Sequence, residues 1–222
     1  MLSSTGPGCL LQPEKVIRML PSSTSLGTSD VSIAPGDHVC VFYTSLAERD
    51  GILLPFLREG LRTGEKCVCV VDTTEPAELL DDLGADADLK PVLDRRQLEV
   101  YPSQDVFLRG GGFSMERVFD WWEQNIAIAL QNGFRYTRAA SEMTWALHPL
   151  PILDELLMYE AVVNQFLIRN PYQGGLCLYP LDQYSGETLV EVLKTHPKMV
   201  LGGMVLDNPY YLDPDEFLAL RQ

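Results

Sequence analysis

His38 and Cys40 stand two residues apart in the run Asp37-His38-Val39-Cys40-Val41-Phe42-Tyr43-Thr44-Ser45, and on a strand that spacing turns an imidazole and a thiol to the same face. A nitrogen and a sulfur are two of the three or four ligands that zinc or copper requires. The other soft ligands, Cys67, Cys69, Cys177 and His196, follow no signature spacing, so the sequence assigns no metal site. His38 opens its run and reads equally well as a hydrogen-bonded residue that locks the strand entrance. His196, just before Pro197, suits the last turn of a helix, where a cation gains ~0.3–1 kcal/mol. Nucleophilic machinery is not legible: there is no Gly-x-Ser-x-Gly elbow and no His-Glu-x-x-His pair, and Cys177 lies mid-run without an evident histidine partner.

These residues need a frame. After Ser45 comes an apolar helical pattern, Leu53, Leu54, Leu57 and Leu61, so the chain keeps the strand-turn-helix geometry of a nucleotide-binding unit while lacking the glycines and lysine that cradle phosphate. Lys66–Asp72 is a short continuous apolar run, the mark of a strand covered on both faces. Pro76 opens a helix with Leu79, Leu80 and Leu83, and Leu98–Pro102 reads as a third strand. Ser114, preceded by three glycines, caps a helix that runs to Gly133. Strands are expected at Arg135–Ala140, Gly175–Pro180 and Met199–Leu206, and helices at Ile152–Arg169, Glu187–Thr195 and from Asp213. This alternation predicts an α/β fold with a mostly parallel central sheet flanked by helices.

Ligands of such sheets sit beyond the carboxyl ends of the strands. That rule selects Tyr43, Thr44 and Ser45; Asp72, Thr73 and Thr74; Ser141, Glu142 and Trp145; and Tyr179 with Asp182, all expected on one rim. Each has a structural alternative. Glu142 serves as a base or ligand contact, or it caps the next helix or pairs with Arg138; Asp72 caps the turn that follows it. Trp145 and Tyr179 line an apolar pocket or simply fill the core.

Composition narrows the function. The chain has 222 residues, 46% of them hydrophobic, enough for one sizeable core behind a Ser/Thr/Gly/Pro-rich leader at residues 1–33 that is expected to be mobile. Residues 34–222 then form one domain. A net charge of -14 repels a phosphate backbone, so direct nucleic-acid binding is not expected. No apolar run approaches the ~18–20 residues of a membrane span and no signal-peptide pattern opens the chain, which points to the cytoplasm. Cys40, Cys67, Cys69 and Cys177 all fall in apolar strand-like runs, as reduced buried thiols do.

Seven motifs in register carry a family resemblance: Pro35–Tyr43, Gly64–Asp72, Ser141–Ala146, Tyr159–Asn164, Leu176–Tyr179, Thr195-His196-Pro197 and Asn208–Tyr211. Together they resemble the MEDS domain, the methanogen/methylotroph sensory domain of the DcmR type, over about Ile33–Leu218. The resemblance implies a RecA-like three-layer core without a working phosphate loop. It also implies a noncatalytic input module that senses small hydrocarbon derivatives, and it names no cofactor. Carried over by position, the family's signature falls on His38, Cys40, Tyr43, Glu142, Trp145, Tyr179 and His196. Such modules are usually joined to a DNA-binding, kinase or anti-sigma output domain. Here the chain ends soon after the motifs, so output is expected to pass in trans to a regulatory protein (a kinase, an anti-sigma factor or a transcription factor). Two rival readings are a degenerate nucleotide-binding, ATPase-like enzyme using Glu142 and a protein-interaction module with an acidic surface. If a ligand acts as a switch, the moving element is expected at Thr44–Asp50 or Asp105–Phe113.

Overall fold

Two six-residue strands, β1 (His38–Tyr43) and β2 (Lys66–Val71), are buried at every position. Strands of that kind must be covered on both faces, and the rest of the chain supplies the cover. The computed structural model describes residues 24–25, 32–85, 87–148, 152–201 and 203–221. The expected leader falls outside these, apart from Thr24–Ser25 and Ser32–Ile33, which pair antiparallel with each other.

Between β1 and β2 runs α1 (Leu46–Thr63). Ser45 caps it by accepting the Glu48 N–H, and Gly64 ends it in the left-handed region at φ 79. Next come α2 (Pro76–Gly84), a short α3 (Lys90–Asp94) that the sequence pattern does not reveal, β3 (Leu98–Pro102) and the single turn α4 (Ser103–Val106). Ser114 caps α5 (Met115–Gln131) as expected, accepting from the Arg117 N–H. Then follow β4 (Thr137–Glu142), a 3-10 turn at Thr144–Leu147, α6 (Leu153–Arg169), β5 (Gln173–Pro180) and α7 (Gly186–Thr195). The chain closes with β6 (Lys198–Leu201), β7 (Met204–Asp207) and α8 (Pro214–Ala219).

The sheet order is β3-β2-β4-β5-β1-β6-β7. Every neighbouring pair is parallel except β6–β7. The single last strand expected over Met199–Leu206 is therefore a hairpin. Leu201 pairs with Met204 across a two-residue turn, with Gly203 at φ 77, a backbone that such turns need and glycine supplies without strain.

Alternation along β1 separates two cores. Val39, Val41 and Tyr43 pack with Leu53 and Leu57 of α1 and Leu79 and Leu83 of α2. Cys40 and Phe42 face a second cluster built from Val118 and Trp122 of α5, Leu156, Tyr159 and Phe166 of α6, Val192 of α7 and Phe217 of α8. Helices thus cover both faces, giving the three-layer sandwich. Cys40, Cys67, Cys69 and Cys177 are buried free thiols.

Candidate functional site

The rim residues are held by one another. Glu142, at the carboxyl end of β4, accepts the Asp72 N–H at 2.6 Å and the Thr73 N–H at 2.7 Å. Arg49 of α1 donates to its other oxygen and also to Thr74 Oγ1 and Asp50 Oδ1. The expected alternative partner, Arg138, instead pairs with Glu65 and donates to Phe56 O. Asp72 in turn accepts from Ser103, from Thr144 Oγ1 at 2.6 Å and from His148 Nε2 at 2.9 Å.

At the turn where a phosphate loop would lie, the chain's own carboxylate takes the anion position: Glu48 accepts the Thr44 N–H at 2.8 Å and the Thr44 hydroxyl at 2.7 Å. Those two bonds hold the Glu48 carboxyl below its ordinary pKa. Tyr43 lies in the core on the α1 side, where burial and Glu142 push its hydroxyl pKa up. Arg49 and His148 were not legible as rim residues, although an arginine in the first turn of an amphipathic helix, where acids are favoured, is a signal in itself.

Of the residues expected on one rim, Tyr179 leaves it and joins His38 and His196, which were never among the rim residues. Tyr179, His38 and His196 turn inward beneath α6, where they meet Glu160 and Cys177. His38 Nε2 lies 3.0 Å from Glu160 Oε2 and 3.3 Å from Cys177 Sγ. Cys177 Sγ lies 3.6 Å from the same carboxylate oxygen, and Tyr179 donates its hydroxyl to Glu160 Oε1. The two imidazoles lie with centroids 4.0 Å apart and their planes tilted by 33°. Cys177 therefore does have a histidine neighbour, one that sequence separation concealed. Glu160 was missed as well, yet a carboxylate amid Leu156, Leu157, Tyr159 and Ala161 on a buried helix face is a residue type rarely buried without partners.

Cys40, on the same face as His38, donates to Lys198 O instead. Trp145 is fully buried, stacked 4.4 Å from Phe107 and 5.0 Å from Phe113.

Burial sets the protonation states here. Desolvation, helped by the neighbouring His38, pushes the His196 pKa down to about 3 against the pull of Glu160. The turn that ends α7 is covered rather than solvated, which disfavours the helix-end cation expected at His196. Burial also opposes ionisation of Glu160, but His196, His38 and the Tyr179 hydroxyl outweigh it and leave the carboxyl below its ordinary pKa. Burial and Glu160 push the Cys177 thiol well up.

Beside this group lies a cavity of about 30 Å³ whose walls include His38, Cys177, Phe119, Trp122, Tyr159 and Phe166. Roughly 10–15 Å³ holds one water, so the space suits a molecule of very few heavy atoms.

A three-layer α/β sandwich with a parallel core, whose first strand-helix turn is closed by its own Glu48 rather than left as a phosphate cradle, defines the fold class. The chain belongs to the MEDS family, the MEthanogen/methylotroph, DcmR Sensory domain, whose profile matches residues 37–197. It is 27% identical over 173 residues to the transcriptional repressor DcmR of Methylorubrum extorquens, covering 75% of this chain and 60% of that protein. The chain thus spans about 60% of the relative's length. In fold it is similar to the flagellar accessory protein FlaH from Methanocaldococcus jannaschii, with a TM-score of 0.51 and 9% identity over 82% of each chain. The core is RecA-like. No helix among the described residues is long and apolar enough to cross a membrane.

Proposed function

We propose that this sensory domain is a noncatalytic cytoplasmic module that binds a small, partly apolar organic molecule in the cavity beside His38 and Cys177. The observation that carries this reading is the cavity itself: its walls are largely aromatic and aliphatic, with Gln173, Ser141, His38 and Cys177 as polar exceptions. Few precisely placed polar groups in an apolar wall is the pattern of ligand sites. His38 Nδ1, buried and without a hydrogen-bond partner, gives an alcohol, amine or halocarbon one polar contact.

A ligand signals only through unequal affinity for two conformations. Of the two expected switch segments, Asp105–Phe113 fits better. Phe107 and Phe113 contact both Trp145 and Tyr159, and Tyr159 lines the cavity. The Thr44–Asp50 turn is instead clamped by Glu48 and by the Arg49–Glu142 pair. By analogy with the repressor relative, the output is control of transcription, exerted here through a kinase, an anti-sigma factor or a transcription factor.

Titration calorimetry and thermal shift with short alcohols, methylated amines and one- or two-carbon halocarbons test this reading. At least one compound should bind, and Val163→Phe, which fills the cavity wall, should abolish the binding. Silence across the whole panel from folded protein would sink the proposal.

A further inference from the structure

The group at the polar wall of the cavity has the composition and shape of a metal centre. His38, Glu160, Cys177 and His196 each bring one ligand atom, and all four atoms lie within 4.8 Å of one another. They come from β1, α6, β5 and the end of α7, four elements brought together only by the fold.

Tetrahedral zinc, with bonds of ~2.0–2.1 Å to nitrogen or oxygen and ~2.3 Å to sulfur, sets its ligand atoms about 3.3–3.7 Å apart. Four of the six edges are 3.0 Å (His38–Glu160), 3.3 Å (His38–Cys177), 3.6 Å (Cys177–Glu160) and 3.6 Å (His196–Glu160). Three lie within that range and His38–Glu160 falls below it.

A second observation is independent of these spacings. His196 Nδ1 lies 2.8 Å from Val192 O, and only a protonated Nδ1 can donate to a carbonyl. Nε2 is fully buried, has no hydrogen-bond partner and faces the Glu160 carboxylate oxygen at 3.6 Å. A ring nitrogen and a carboxylate oxygen facing each other away from water need a proton or a metal ion between them. The supporting contacts are those that ligands require: a backbone carbonyl fixes the His196 tautomer, and Tyr179 steadies the free oxygen of the carboxylate.

We propose that His38 Nε2, Glu160 Oε2, Cys177 Sγ and His196 Nε2 bind one divalent transition metal, zinc by ligand type, at the wall of the cavity. Binding releases the Cys177 thiol proton to solvent and forms a metal–thiolate bond with no change of oxidation state. One thiolate and one carboxylate then cancel the two positive charges, so the buried centre is neutral overall. The metal's role beside a ligand rests on the sensing reading above; its presence does not.

The full chain, expressed in zinc-supplemented medium and purified under reducing conditions without chelator, should carry about one zinc per chain by elemental mass spectrometry. Cobalt-supplemented expression should give thiolate-to-cobalt charge transfer together with the strong visible bands of a four-coordinate ion. Cys177→Ser and His196→Gln should each lower the zinc content at least about tenfold. Cys40→Ser, whose thiol points to Lys198 O, should retain it. Circular dichroism identifies any variant that fails to fold, and the cobalt spectrum of the unmodified chain stands without them. Folded wild-type protein without stoichiometric metal, a cobalt spectrum lacking the thiolate band, or equal loss from Cys40→Ser would each overturn the proposal. Val163→Phe separates the two readings: it should lose small-molecule binding and keep its zinc.

Discussion

Arg49 and Glu142 form an ion pair at the carboxyl end of the sheet with both side chains buried, the arginine 2% exposed and the glutamate 0%. The pair joins α1 to β4, and through the Asp72 and Thr73 N–H groups it also fixes the turn after β2. The carboxylate that looked like a candidate base is thus fully committed to holding the rim.

Removing one partner leaves a buried charge without compensation, a loss of about 3–5 kcal/mol. Glu142→Ala should cost more than Arg49→Met, because it also strands two backbone donors. Urea denaturation of both single variants and the double variant measures the coupling. Additive costs in that cycle would contradict the geometry.

Nucleotide should not bind at the α1 N-terminus. Glu48 already occupies the Thr44 donors, and a phosphate arriving there meets negative charge with no lysine to offset it. ATP or GTP with magnesium should give neither heat nor thermal shift. Saturable binding would revive the ATPase-like reading.

Two glycines of α1 should respond oppositely to alanine. A Cβ on Gly51 meets nothing within 4 Å, so Gly51→Ala should stabilise by roughly 0.5–1 kcal/mol through helix propensity. A Cβ on Gly60 would lie 2.6 Å from Arg138 Cδ and 2.7 Å from Cys67 Sγ. Both neighbours are buried, and Arg138 is tied to Glu65, so Gly60→Ala should cost about 1–3 kcal/mol. Melting temperatures that rise for both would refute the close approach.

Acid should weaken the β2–β3 edge through Glu99. Burial raises its pKa, but hydrogen bonds from Lys66 and Arg96 outweigh that and leave it below the ordinary 4.5. A carboxyl with a lowered folded-state pKa contributes stability above its unfolded value and loses it as pH falls through the folded one. Glu99→Gln should therefore be less stable than wild type at pH 7, with the gap closing below about pH 4. Urea midpoints across that range provide the measurement, and a gap that does not vary with pH would be the contrary result.

The sheet and its helices were legible because burial on both faces leaves unbroken apolar runs such as Lys66–Val71, and because caps such as Ser45 and Ser114 are local chemistry. The β6–β7 hairpin was not, since two apolar four-residue strands around a glycine pair read as one longer strand. Among the site residues, types were visible and partners were not. His38, Cys177, Tyr179 and His196 stood out, whereas Glu160 hid within the apolar face of α6.

The sequence by itself determined a parallel α/β core, the loss of the phosphate-binding glycines and lysine, and a set of buried reduced thiols. Each is written in short-range pattern: alternation, caps and residue type. Tertiary structure alone decided that Glu142 belongs to Arg49, that Glu48 fills the anion position, and that His38, Glu160, Cys177 and His196 converge on one point. Those contacts join residues up to 158 positions apart, from β1 to α7. Sheet order and helix packing set such distances, and neither leaves a spacing to read along the chain.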